Sequence, residues 1–92
     1  MLKVATKDGR PALQGELDVH TAPELKAWLD QLDRTATEID LSGVTFFDSA
    51  TLGIFLAARK SNSLLRVVNP SNAVLRVLEI TGTLDYLMND DA

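Results

Sequence analysis

Residues 38–60, EIDLSGVTFFDSATLGIFLAARK, pass from a strand pattern to a helix pattern within one stretch. In EIDLS (38–42), Ile39 and Leu41 alternate with polar neighbours, which predicts a short strand with those two side chains inward. Gly43 is expected to break it, and VTFF (44–47) leads on to Asp48 and Ser49. Phe46 and Phe47, if extended, point to opposite faces, so at most one should be exposed. From about 49 to 60, SATLGIFLAARK reads as a helix closed by two basic residues that suit a C-terminus. Its apolar residues Leu52, Ile54, Phe55, Leu56, Ala57 and Ala58 spread wider than a single core-facing stripe. A strand feeding a helix in this way is the repeating unit of α/β proteins.

The flanking segments extend the pattern. LKVAT (2–6) alternates as a half-buried strand, Asp8-Gly9 is a hairpin turn, and PALQGEL (11–17) returns with Leu13 and Leu17 on one face. Pro11 cannot donate to a ladder and belongs at the strand start or on an edge. Thr21 with Glu24 has the spacing of a capping box, and Pro23 suits a first helical turn. Leu25, Trp28, Leu29 and Leu32 then form one apolar stripe on a helix over about 21–34, with Asp30 and Arg34 as an outward i, i+4 pair. LLRVV (64–68) is apolar at four of five positions, which predicts a central strand. Asn69-Pro70 ends it, Ser71 caps a third helix, and Gly82 closes that helix at about 81. Val74, Val77 and Leu78 make its core stripe; Leu75 and Ile80 are left for a partner surface or for packing on 84–88. LDYLM (84–88) adds a last turn before the acidic tail NDDA. The order strand, strand, helix, strand, helix, strand, helix implies an α/β domain with a mixed sheet, right-handed crossovers and an open face or edge.

A chain of 92 residues fits one small domain, taken as 1–92. Apolar residues at 46% and charged residues at 24% are the balance of a folded protein rather than a disordered one. Nine basic against thirteen acidic residues give a net charge of −4 with no basic cluster, which argues against nucleic acid or an anionic membrane as a partner. There is no cysteine, which excludes disulfides and thiol chemistry. MLKVATKDG lacks the apolar core of a signal peptide, and no apolar run is long enough for a bilayer, so a cytoplasmic protein without membrane insertion is expected. No cofactor is expected either: there is no Walker-type phosphate loop, and the lone His20 rules out a two-histidine metal cluster. Catalysis has thin support. His20 beside a threonine reads as a surface residue, no G-x-S-x-G elbow surrounds Ser49, and an acid/base role for Asp18 with Asp48 rests on coincidence among many carboxylates.

Ser49 carries the sharpest question. Position alone favours helix capping, because Ser and Asp oxygens accept otherwise orphaned backbone N–H bonds. One cap suffices, however, and Asp48 and Ser49 stand side by side. If Asp48 caps, the Ser49 hydroxyl is left facing solvent at the positive end of the helix, where a phosphate is tolerated. A carrier-type protein modified at Ser49 by a phosphopantetheine arm is a rival reading of DSATLGIFLA. Carriers, though, are all-helical and have leucine where this chain has Ala50.

Three blocks, GELDVHTAPEL, IDLSGVTFFDSATLG and RVVNPSNAVLRVLEITG, resemble successive blocks of the STAS domain, and in particular those of bacterial anti-sigma factor antagonists (anti-anti-sigma factors). The resemblance is strongest over 13–83. It implies a mixed four- to five-stranded sheet with helices packed mainly on one side. It also implies that Ser49, directly after Asp48, accepts phosphate from an ATP-using anti-sigma factor kinase. Unphosphorylated, such a protein binds that kinase and frees a sigma factor, and a serine phosphatase resets the cycle; a monomer or weak dimer is expected. Asp18 is carried over as a neighbour of the site and His20 and Thr21 as its rim. Asp48, Ala50, Thr51 and Leu52 complete the expected partner-binding set. The family's run after the aspartate is Ser, then Ser or Thr, then Gly-Leu-Gly. Ala50 lacks the second hydroxyl, and Thr51 sets a branched side chain where the family has glycine. An unphosphorylated accessory subunit of a lipid-transport complex is the alternative within the same family.

Overall fold

Asp8 and Gly9 both hold positive φ, 53° and 78°, the left-handed pair that a tight hairpin requires. In the computed structural model, which describes residues 2–32 and 37–89, this turn folds β1 (Lys3–Lys7) antiparallel onto β2 (Arg10–Leu17), with Thr6 opposite Pro11. α1 (Ala22–Gln31) leads to β3 (Thr37–Phe47), α2 (Ser49–Ser61), β4 (Leu65–Val68), α3 (Asn72–Thr81) and α4 (Leu84–Met88). β3 runs parallel to both β2 and β4, so the sheet is mixed in the order β1-β2-β3-β4.

All four helices place buried side chains in one core on one face of the sheet. Leu13, Leu17, Ile39, Leu41 and Val67 meet Leu25 of α1, Phe55 of α2, Leu78 of α3 and Leu87 of α4 there. Phe47 and Phe55 stack at a tilt, ring centroids 5.9 Å apart. Trp28 is only half-buried at the core's edge, and Phe46 stays 46% exposed while its neighbour Phe47 is buried. The opposite face of β3 is polar. Glu38 bridges Arg10 of β2 at 2.7 Å and Arg66 of β4 at 2.6 Å, tying three strands together. Asp40 is buried and accepts hydrogen bonds from Ser42 N (2.8 Å), Ser42 Oγ (2.6 Å) and Asn69 Nδ2 (3.0 Å).

Three expectations are corrected. Gly43 does not break the strand: β3 continues through it to Phe47, still paired with β2. A Cβ at Gly43 would lie 3.0 Å from Gln14 Cγ, beside a register shift, so the glycine serves close approach rather than termination. β4 is an edge strand, not a central one; it buries Leu65 and Val67 on one side while Arg66 faces the other, and Leu64 lies outside it, exposed. The capping box is absent. Thr21 has helical backbone angles and makes no side-chain cap bond; its hydroxyl exchanges bonds with Asp18 instead, and Glu24 accepts from Leu2 N. Asp30 pairs with Lys26 at 3.1 Å, and Arg34 lies outside the described residues. Elsewhere Ser71 caps α3 through Val74 N, and Gly82 closes it in the left-handed conformation. Leu75 is half-buried, whereas Ile80 is 79% exposed.

Arg59, near the end of α2, is buried and reaches another helix. Its Nε donates to Tyr86 O at 3.0 Å and its Nη2 to Asn89 O at 3.1 Å, while the guanidinium lies 5.5 Å from the Tyr86 ring centroid. It thereby satisfies carbonyls at the end of α4, where a cation also suits the dipole.

Two predictions follow from the polar anchors. Burial pushes the Asp40 carboxyl up, but hydrogen bonds from Ser42 and Asn69, with Lys7 nearby, outweigh it and hold the group below its ordinary value. The stability this supplies is therefore complete above the unfolded value of about 3.9 and lost as pH falls through the lower folded value. Asp40→Asn should lose about 1.5–3 kcal/mol at pH 7, and urea titrations should show that gap closing below about pH 4. Arg59→Met should lower amide-exchange protection across 84–88 by more than it lowers that of the sheet, because only the carbonyls at the end of α4 lose the guanidinium that donates to them.

Candidate functional site

The parallel pair β2–β3 ends together, Leu17 beside Phe47. Each strand then turns directly into a helix, through 18–21 into α1 and through Asp48 into α2. Both helix N-termini thus open beyond the carboxyl ends of β2 and β3, the usual place for a site in an α/β fold.

Asp48 has the extended backbone of an N-cap, and its Oδ1 accepts from Thr51 N at 2.9 Å. Thr51 Oγ1 lies 2.9 Å from the same Oδ1 and 2.9 Å from Leu17 O, so the first turn of α2 is fastened to the end of β2. On the other loop, Asp18 Oδ1 accepts from His20 N (2.8 Å) and Thr21 N (3.2 Å). The two aspartates do matching work, each holding one strand-to-helix corner.

With the cap supplied by Asp48, the Ser49 hydroxyl is exposed and makes no hydrogen bond among the described residues. It sits on the first turn of α2, where free N–H groups and the helix dipole give a positive potential. Ala50 is exposed beside it, as are His20 and Val19 on the neighbouring loop, and Asp18 and Asp48 are half-buried. Three expected contact residues turn inward. Thr51 is 0% exposed, and Thr21 and Leu52 are also buried. Thr51 is held inside by its hydroxyl, which reaches Leu17 O of β2, so it shapes the corner from within. Phe46 and Val19, which were not among the expected site residues, are also exposed near the corner: Phe46 pairs with Glu16 one step before it, and Val19 lies on the loop that follows β2. Burial along 44–47 departs from simple alternation, with Val44 and Phe47 inside and Thr45 and Phe46 outside, beside a register shift against Gly15 and Glu16.

The comparisons agree with this architecture. The family model described as "Mlab, STAS domain" matches residues 4–88. An anti-sigma-B factor antagonist of Staphylococcus aureus is 34% identical over 80 residues, covering 79% of this chain and 74% of that protein. One from Listeria monocytogenes is 36% identical over 80 residues, covering 79% and 70%. The crystal structure of an anti-sigma factor antagonist from Mycobacterium paratuberculosis superposes with a TM-score of 0.72 at 29% identity, over 97% of this chain and 82% of the other. Among the described residues no helix is long and apolar enough to cross a membrane. With its mixed sheet, its helices on one face and these relatives, the chain belongs to the STAS domain family that includes the anti-sigma factor antagonists.

Proposed function

We propose that this protein is an anti-sigma factor antagonist: a binding module, not a catalyst, that sequesters an ATP-binding anti-sigma factor kinase and so frees a sigma factor. In this reading Ser49 is the phosphoacceptor, and a serine phosphatase restores the binding form. Asp18, His20, Asp48 and Ala50 contribute the contact surface around it, while Thr21, Thr51 and Leu52 set its shape from beneath. The observation that carries the proposal is the division of labour at the corner. Asp48 does the capping, which leaves the Ser49 hydroxyl exposed and uncommitted. The names of the relatives point the same way.

The energetics favour a switch at the interface over one in the fold. Phosphate adds about −1.5 to −2 charges, and at a helix N-terminus this gains about 0.3–1 kcal/mol. Asp48, the adjacent residue, offsets part of that gain by repulsion. The domain therefore keeps its structure when modified. A partner carboxylate about 4 Å from the phosphate contributes about 4 kcal/mol of repulsion per unit charge at an effective dielectric of 20. That corresponds to binding weaker by about a thousandfold.

A second reading has two observations in its favour. The matching family model carries the description Mlab, and Ala50 and Thr51 depart from the run that usually surrounds the acceptor serine. In that reading the same corner docks on a transport complex and Ser49 stays unmodified.

Affinity for the purified ATP-binding anti-sigma factor of the same host separates these. Ser49→Asp should bind about a thousandfold more weakly, Ser49→Ala should bind like the unaltered protein, and both should melt within about 0.5 kcal/mol of it. Undiminished binding by Ser49→Asp would overturn the switch. Mass mapping after incubation of the partner with ATP should place one phosphate on Ser49 and none on Thr51.

A further inference from the structure

Gly53 lies in the interior of α2, exposed, with nothing within 4 Å of the point where a Cβ would sit. Glycine weakens a helix interior relative to alanine, yet no neighbour among the described residues requires the missing side chain. The residue faces a groove of about 260 Å³ between α1 and α2. Leu29 and Ile54 make its apolar floor, and the Lys26–Asp30 ion pair, 3.1 Å across, stands on its α1 wall. The α2 wall starts at Ala50, next to Ser49, and extends to Ser61, a length of about 17 Å along the helix. The volume is below the roughly 300–1,000 Å³ of small-molecule sites. A groove walled by two helices and lined along three turns of α2 suits a third helix laid along it.

We propose that this groove receives an amphipathic helix of the anti-sigma factor, and that Gly53 is where the two backbones come closest. The assignment rests on the reading of the chain as an anti-sigma factor antagonist, and it extends that contact from Ser49 along α2. The groove and the Ser49 surface are continuous through Ala50, so one partner covers both. The glycine trades helix stability in the free protein for close approach in the complex, which gives it opposite signatures in the two states. A methyl at 53 fills empty space in the free domain and collides with the partner's backbone in the bound one.

The test uses the full chain and the purified ATP-binding anti-sigma factor, with Ser49→Asp measured in parallel. Gly53→Ala should raise the melting temperature by about 2–8 °C while weakening binding at least tenfold. Ala57→Arg places a large side chain on the groove's α2 wall, about 12 Å along the helix from Ser49. It should leave the melt within a few degrees and also weaken binding at least tenfold. If both variants bind like the unaltered chain while Ser49→Asp does not, the groove assignment is wrong and the proposed function stands. If both lose binding while Ser49→Asp keeps it, the groove stands and the charge switch fails. Failure of the unaltered chain to bind the factor overturns both. Loss of self-association in sedimentation, with factor binding unchanged, overturns the assignment in favour of a second copy as the occupant.

Discussion

One carboxylate oxygen, Oδ1 of Asp48, decides what the corner between β3 and α2 presents to solvent. It accepts the Thr51 amide and stands within hydrogen-bond distance of the Thr51 hydroxyl, which in turn reaches Leu17 O at the end of β2. The first turn of α2 is therefore positioned by the sheet and not only by its own backbone. A helix start held in this way has no need of a second capping side chain, and Ser49 is left over. Everything read into the site depends on that surplus.

The sheet beneath the corner is stiffened from its polar side. Glu38 draws together Arg10 and Arg66 from the flanking strands, and the Arg10 hydrogen bond holds its carboxyl below the ordinary value. Asp40 ties β3 to the turn after β4 through Asn69, a non-glycine residue at positive φ. These bonds fix the parallel register that brings the ends of β2 and β3 side by side. The helix face then needs only ordinary packing, since its core is aliphatic with one aromatic pair.

Much of this was legible in the residues, and most of what was not depends on partners elsewhere in the chain. The Asp-Gly hairpin, the Ser71 cap and the Gly82 stop obey rules that act within a few residues, and all are found. The Asp48–Ser49 division was also readable, because it needs only the positions of two adjacent side chains. Gly43 was misread because the shift it accommodates is imposed by Gln14 on another strand. The Thr21 box failed because Asp18, three residues back, outcompeted it for the hydroxyl. The burial of Thr51 turns on a carbonyl 34 positions away. β4 was taken for a central strand because its apolar run was read as two-sided burial, whereas one side is closed by the stem of Arg66 and its ion pair.

The attachment of α4 has a practical side. Arg59 belongs to the same helix that begins at Ser49, and its charge is satisfied by main-chain oxygens at Tyr86 and Asn89 rather than by a carboxylate. Main-chain acceptors are indifferent to side-chain identity, so these two hydrogen bonds set no residue type at Asn89, whereas Tyr86 also lays its ring beside the guanidinium and Leu87 is part of the core. A shortened protein ending before Tyr86 would strand a cation in the interior at the far end of α2.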